Sequence, residues 1–349
     1  MRSGLIRVSE ADPSAVKQYL AGHEVEPEIA DWKYFDSRFN RNRERGVVWV
    51  REGRVAGFLG LIPFCVERGG VCAAQCAWSC DWSVDPLAAG GMGLMLAKRA
   101  RDLYDGVFNL GGNENTRRIF PRLADHTVLD AAVNLVLPLR LGSTFALLPS
   151  GVLKRSLSRR KLLQQVPLHW GRERRRIGVS IEPGLSPRVT SMLGDAAPRD
   201  WQPVYDSEYV DWQLVRCPTV KCWSCWISSD SPPRTAALLW TSRSPSGYWR
   251  LAFCGAMADL ERIEVITGAI ASFVHAQKGI ALFAMASHLE NPLMDLLARQ
   301  GFLRRRAKLP FYIMRGRNRE LPVDEFQTLN FLDADLAYRF ESDFISKGQ

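Results

Sequence analysis

Residues 84–93 read Val-Asp-Pro-Leu-Ala-Ala-Gly-Gly-Met-Gly and join an apolar run at 77–84 to a helix-patterned segment at 94–103. A strand that ends in a glycine-rich turn and feeds a helix N-terminus suits an anionic phosphate. Glycines admit close backbone approach, and free N–H groups and the helix dipole favour negative charge. The candidate phosphate contacts are Val84, Ala89, Gly90, Gly91, Met92 and Gly93. The spacing has neither the lysine and six-residue span of a P-loop nor the three spaced glycines of a dinucleotide fingerprint. Two residues near the turn could move a proton: Asp81, on the strand that leads into it, and His126, whose imidazole can accept or give one. Each has a plain alternative, a solvent-facing or capping Asp81 and a structural His126. Glu114 is a further base candidate, and Asn115 stands where it would cap a short helix.

Among eight cysteines, two clusters have spacings that bear on metal binding. Cys72, Cys76 and Cys80 sit at even intervals and would share one face of a strand. Cys217, Cys222 and Cys225 include a C-x-x-C, half of a zinc site, but no second pair stands at matching spacing. Small buried hydrophobes and reduced thiols are the expectation, with no metal. No apolar run reaches the roughly 18 residues of a membrane span, since 135–153 is broken by Pro138, Arg140 and Pro149. The first residues lack the apolar core of a secretion signal, so a cytoplasmic location is expected.

The elements that must position these groups occur twice. Asp31-Trp32-Lys33 is echoed by Asp211-Trp212-Gln213, and Asn115 by Asn291 at an offset that also serves the chain beyond it. Each echo precedes a pair of strand-like runs, 46–51 and 55–66 in the first half, 221–228 and 235–241 in the second. The first half continues as helix 94–104, strand 106–110, a Gly111-Gly112-Asn113 turn, helix 114–123 and strand 127–137. The second continues as helix 260–277, strand 279–286, helix 290–300 and strand 307–315. This is a repeat of a whole domain, and a chain of 349 residues accommodates two. The expected units are 1–150, a basic linker 151–200, and 201–349, in an α/β (α+β) arrangement.

The formal charge of +9 is concentrated. Residues 154–176 hold nine Lys or Arg and one acid, Glu173, leaving the rest close to neutral. The segment is read as a solvated linker or as a contact for an anionic membrane surface or a phosphorylated acceptor. Nucleic acid is disfavoured, because the aromatic interleaving of a stacking platform is missing.

The glycine turn, the strand after it and the Asn-headed helix resemble the GNAT (N-acetyltransferase) superfamily. That family's phosphate turn reads Gln/Arg-x-x-Gly-x-Gly/Ala after its fourth strand. Ala88-Ala89-Gly90-Gly91-Met92-Gly93 falls on it, behind a Val84-Asp85-Pro86 lead-in. In the second half, Asn291 followed by Gly301-Phe302 matches the family's later part. The resemblance covers most of the chain as two copies, a tandem of GNAT-like domains. Each would be a mixed, mostly antiparallel sheet flanked by helices.

The resemblance implies an acyltransferase with acetyl-CoA as donor, lying between strands 76–84 and 106–110. An amine or hydroxyl of a small molecule or sugar precursor would attack the thioester directly. Asp81 or His126 would act as base, with Asn115 near the thiol end of the coenzyme. Tandem chains with a D-W-K start are similar to acyltransferases of bacterial surface-polysaccharide synthesis, and more distantly to Fem-type aminoacyl transferases. Several residues depart from the family pattern: Ala88 stands at its Gln/Arg position, Pro121 where many members carry a Tyr acid, and Asp125-His126 in place of Gly-Phe. Residues 260–269, Leu-Glu-Arg-Ile-Glu-Val-Ile-Thr-Gly-Ala, are too bulky and acidic for a pyrophosphate, so only the first copy is expected to bind coenzyme. The competing expectation is an inactive binding or scaffold protein.

Overall fold

The computed structural model describes residues 3–39, 43–68, 71–86, 91–112, 114–128, 132–140, 178–192, 202–230, 233–243, 247–254, 260–287, 292–306, 310–318 and 320–322. The first half runs β1 (Gly4–Arg7), α1 (Pro13–Ala21), α2 (Pro27–Ala30), a π-helical turn (Asp31–Phe35), β2 (Gly46–Arg51), β3 (Arg54–Arg68), β4 (Val71–Val84), α3 (Met92–Arg101), β5 (Gly106–Leu110), α4 (Glu114–Ile119), β6 (His126–Val128) and β7 (Ala132–Pro138). The second runs β8 (Val179–Pro183), α5 (Pro187–Thr190), β9 (Gln202–Val204), α6 (Ser207–Val210), a second π-helical turn (Asp211–Val215), β10 (Val220–Ile227), β11 (Ala236–Ser242), β12 (Tyr248–Cys254), α7 (Leu260–Ala276), β13 (Ala281–Ser287), α8 (Pro292–Arg299), β14 (Leu303–Arg306) and β15 (Phe311–Arg315).

Local chemistry sets these boundaries. Pro13 opens α1 behind Asp12, whose carboxylate accepts the Ser14 N–H. Glu52 and Gly53, at φ 52° and 79°, make the tight turn from β2 to β3, a geometry that matches strand twist. β3 is apolar along nearly its whole length, the pattern of a strand covered on both faces.

Two sheets result. The first has the order β1-β2-β3-β4-β5-β15-β6 with β9 beside β3, and the second the order β14-β7-β13-β12-β11-β10-β8. All pairings are antiparallel except β4–β5 and β12–β13. The halves trade strands: β7 lies between β13 and β14, and β15 between β5 and β6. One strand was expected over 127–137. The chain instead breaks it into β6, which stays with the first sheet, and β7, which crosses to the second. Val179–Pro183, within the expected linker 151–200, is the edge strand paired to β10, while 154–176 lies outside the described residues.

A central core is shared by both halves, with residues such as Trp78, Phe108, Trp212 and Trp240. α3 closes the outer face of the first sheet with Leu96, Ala97 and Ala100, and α7 that of the second with Ile263, Ile266 and Ile270. At the middle, the Trp32 and Trp212 rings stack with centroids 4.5 Å apart.

The cysteines correct one expectation. Cys65 and Cys72 form a disulfide with their Cα atoms 5.8 Å apart, because the β3–β4 ladder folds two residues seven apart in sequence back onto each other. The other six are free and buried. Cys222 enters the central core and Cys225 the outer core behind β10, so the two sulfurs of the C-x-x-C point to opposite faces. Among the described residues no cluster of three potential metal ligands occurs, and no helix is long and apolar enough to cross a membrane.

Candidate functional site

β4 and β5 pair in parallel only at Cys76–Gly106, Ala77–Val107 and Trp78–Phe108. Beyond this point β4 runs on to Val84 and β5 to Leu110 without a ladder between them. Side chains span the opening instead: Ser79 donates its hydroxyl to the Phe108 carbonyl (3.1 Å) and accepts from the Asn109 amide nitrogen (2.9 Å). The other amide atom of Asn109, Oδ1, is buried and has no hydrogen-bond partner among the described residues.

β4 is also bulged here. Its register with β3 passes from Cys80–Gly60 to Ser83–Phe58, so Asp81 and Trp82 together face Leu59. Asp81 takes a left-handed φ of 46°, a conformation that costs about a kcal/mol or more in a non-glycine residue. The bulge sends Cys80 and Asp81 to the same face. The Asp81 side chain is only 3% exposed, and its Oδ2 accepts from Lys33 Nζ and from the Tyr34 hydroxyl, both at 2.5 Å. Tyr34 also lies 3.4 Å from the Cys80 sulfur. Trp82 turns to the opposite face, edge-on to Phe120.

The π-helical turn that delivers Lys33 and Tyr34 is pinned by Arg45. Its guanidinium donates to the carbonyls of Lys33, Asp36 and Phe39 and lies 4.9 Å from the Phe39 ring centre. Burial lowers the Arg45 pKa to about 10, partly offset by Asp36. Tyr34 reaches β4 by crossing Gly60, where a Cβ would stand 2.1 Å from the tyrosine hydroxyl. Any side chain at position 60 would have to push Tyr34 aside.

At the far end of β4, the Asp85 N–H bonds the Ala56 carbonyl and holds the exit. Ala89 and Gly90 lie outside the described residues. Gly91 precedes α3 at φ 87°, with open space where a Cβ would be. Its carbonyl accepts the Met95 N–H, the first bond of the helix, so the earlier N–H groups of α3, from Met92 and Gly93 onward, are not used by the helix itself. A Cβ on Gly93 would press on the Trp82 ring at 3.2 Å. The donor set suits a phosphate.

The sequence candidates are thus partly assembled. Asp81, Val84, Gly91, Met92 and Gly93 lie along one strand-turn-helix. His126 does not join them: Trp78, Phe108, Ile313 and His126 form one row across β4, β5, β15 and β6. Three strand spacings separate its ends by roughly 14 Å, and Asp81 is three residues farther along β4. Glu114 opens α4 and is exposed; Asn115 is its second residue. In the second half, residues 260–269 form the first turns of α7, with Ile263 and Ile266 in the core. The equivalent of Asn115, Asn291, lies outside the described residues.

Lys33, Tyr34, Arg45, Gly60, Ser79 and Asn109 were not singled out from the sequence as site residues. Lys33 is legible only as the residue after the repeated Asp-Trp, and Gly60 as one of two glycines inside an apolar strand, the mark of a close approach.

No protein-family description matches the chain, and no curated protein does. Solved structures do. A probable N-acyltransferase from Enterococcus faecalis V583 superposes with a TM-score of 0.57 at 12% identity, covering 89% of this chain and 71% of that one. The N-myristoyltransferase of Saccharomyces cerevisiae, solved with bound myristoyl-CoA and inhibitors, gives 0.54 at 11% identity over 90% of this chain and 80% of that one. A tandem GNAT protein from the clavulanic acid biosynthesis pathway gives 0.51 at 13% identity over 89% and 98%. The fold is therefore α/β, two mixed and mostly antiparallel sheets flanked by helices, as in tandem GNAT proteins. At these identities the likeness is one of fold.

Proposed function

We propose that the chain is an acyl-CoA-dependent acyltransferase, with acetyl-CoA as donor and a small-molecule or sugar amine or hydroxyl as acceptor. The observation that carries this reading is the parted β4–β5 pair, which leads directly into Gly91 and the N-terminus of α3. The pyrophosphate would rest on the free N–H groups of Met92 and Gly93 at the start of α3, and the pantetheine arm would lie between Val84 and Leu110. There the buried Oδ1 of Asn109 offers an acceptor to one of its amides. That the yeast N-myristoyltransferase was solved with bound myristoyl-CoA supports an acyl-CoA donor.

The acceptor's lone pair attacks the thioester carbonyl carbon, the acyl–sulfur bond breaks, and CoA leaves as thiolate. Asp81 takes the proton of the acceptor, and that proton is passed on to the thiolate to give CoA-SH. Orientation within the cleft supplies much of the rate. His126, far along the sheet, has no part in this step, and Asn115 stands in α4 on the coenzyme side of the proposal.

We assign coenzyme binding to 1–150 and the shaping of the acceptor side to 201–349 together with β8 and α5, which leave the expected linker 151–200 to join the second half, in a cytoplasmic protein. Thermal-shift and calorimetric titration with acetyl-CoA, longer acyl-CoAs and free CoA tests the donor. Mass spectrometry of amines and sugar nucleotides, including those of surface-polysaccharide synthesis, tests the acceptor. A shift with acetyl-CoA followed by an acetylated product is expected. No shift with any CoA species overturns the proposal, and a shift without turnover across the panel turns it into a binding module.

A further inference from the structure

The two halves act as internal controls for each other. Trp32 and Trp212 occupy matching π-helical turns, Asp31–Phe35 and Asp211–Val215, so the residue after each tryptophan fills the same buried slot. In the first half that residue is Lys33 and in the second Gln213, 1% and 0% exposed. β4 meets Lys33 with Asp81, whereas the matching strand β12, Tyr-Trp-Arg-Leu-Ala-Phe-Cys, has no carboxylate. The turn, its burial and its packing thus form without an ion pair. Burying one is costly, and at this slot the ion pair stands in the half that carries the glycine turn before α3.

We propose that Lys33 is a positioning residue of the transfer site, fixing the Asp81 carboxylate ionised and aimed at the bulge of β4. This rests on the reading of Asp81 as the base. Asp81 is faced by Lys33 and Tyr34 from the π-helical turn and has Cys80 beside it on β4. Cys217 also feels the Lys33 charge. Gly60 and the Arg45 bonds to the turn hold the geometry. Lys33 touches the Asp81 carboxylate at 2.5 Å in this buried setting, and a cation so placed favours the ionised form of a carboxylate. The matching slot in the second half, filled by Gln213, supplies no such charge.

Thiol release from acetyl-CoA, with the best acceptor amine of the panel, is followed against pH for the wild type, Lys33→Met, Asp81→Asn and the double variant. Removing Lys33 moves the acid limb of the profile to higher pH and lowers the rate at neutral pH by about tenfold or more, with acetyl-CoA affinity unchanged. The double variant buries no unpaired charge, so it stays folded even if Lys33→Met does not. It binds acetyl-CoA but does not transfer. A double variant that transfers at the wild-type rate, or a Lys33→Met profile with an unmoved acid limb, overturns the proposal. Wild-type protein that neither binds acetyl-CoA nor releases thiol marks a different failure, that of the acyltransferase reading, and removes this one with it.

Discussion

The indole nitrogen of Trp32 donates to the backbone carbonyl of Trp212 (2.8 Å), and that of Trp212 donates to the carbonyl of Trp32 (3.1 Å). Each ring is buried, and Phe39 stacks on the other face of Trp212 at 4.2 Å. The exchange places a pseudo-twofold relation at the centre of the shared core. Replacing Trp212 with Ala removes one of the largest buried side chains and should cost about 3–5 kcal/mol. Because that core belongs to both sheets, urea unfolding followed by tryptophan fluorescence and by far-UV circular dichroism should give coincident transitions in the wild type and the variant. Separate transitions for the two halves would contradict the shared core.

The glycine before α3 separates strain from electrostatics. Both Gly91→Ala and Gly91→Glu carry the penalty of a left-handed residue, roughly 1–2 kcal/mol, and both side chains start into open space. Only the glutamate places a negative charge where a pyrophosphate would lie. Calorimetry should show acetyl-CoA binding abolished in Gly91→Glu and weakened less in Gly91→Ala, with both proteins folded. Equal affinities would remove the turn from the binding site.

Gly60→Ala drives a methyl into the Tyr34 hydroxyl. Tyr34 must withdraw from Asp81, at a cost of about 1–3 kcal/mol. The expected result is a folded protein with a lowered melting temperature and reduced kcat but ordinary acetyl-CoA affinity, since Gly60 lies away from the α3 turn. A crystal structure of the variant with Tyr34 unmoved would refute this account.

Acid should weaken the contact between the halves through Asp36. Burial alone would raise its pKa, but hydrogen bonds from Arg38 and the charges of Arg216 and Arg38 outweigh it and hold it below the ordinary 3.8. A carboxylate held lower in the folded state stabilises above its unfolded pKa, and that contribution fades as pH falls through the folded value. Arg216, from the second half, reaches Asp36 at 3.3 Å. Melting temperatures measured from about pH 5 to pH 2 should therefore fall less steeply for Asp36→Asn than for the wild type. Parallel curves would show the pairing to be immaterial.

Much of the fold could be read from residue patterns. The repeated Asp-Trp pair, the Glu52-Gly53 turn and the glycine-rich run before α3 each reflect local physics, and local physics is written in neighbouring residues. What could not be read is what depends on partners far apart in sequence. Nothing near 132–138 states that this strand will pair with β13 instead of remaining beside β6. Ile313 pairs with Phe108 across the exchange of strands. The same holds for the site. Asp81 was legible from its place before the turn, but Lys33, 48 residues away, meets it only through a bulge and a π-helical turn, irregularities that hydrophobic periodicity does not record. The Cys65–Cys72 disulfide is not written in cysteine spacing either: the two meet only because the β3–β4 hairpin folds them together.

The traded strands have a consequence for synthesis. β5 gains its outer neighbour only when the chain reaches Phe311, so the first sheet remains open on that side while most of the second half is being made. A nascent chain would carry β5 as a hydrophobic edge, liable to pair with other chains. Such a protein gains nothing from finishing its first half early. Its timing on the ribosome is that of one late, concerted closure, and shielding by a chaperone would matter most in the interval before β15 emerges.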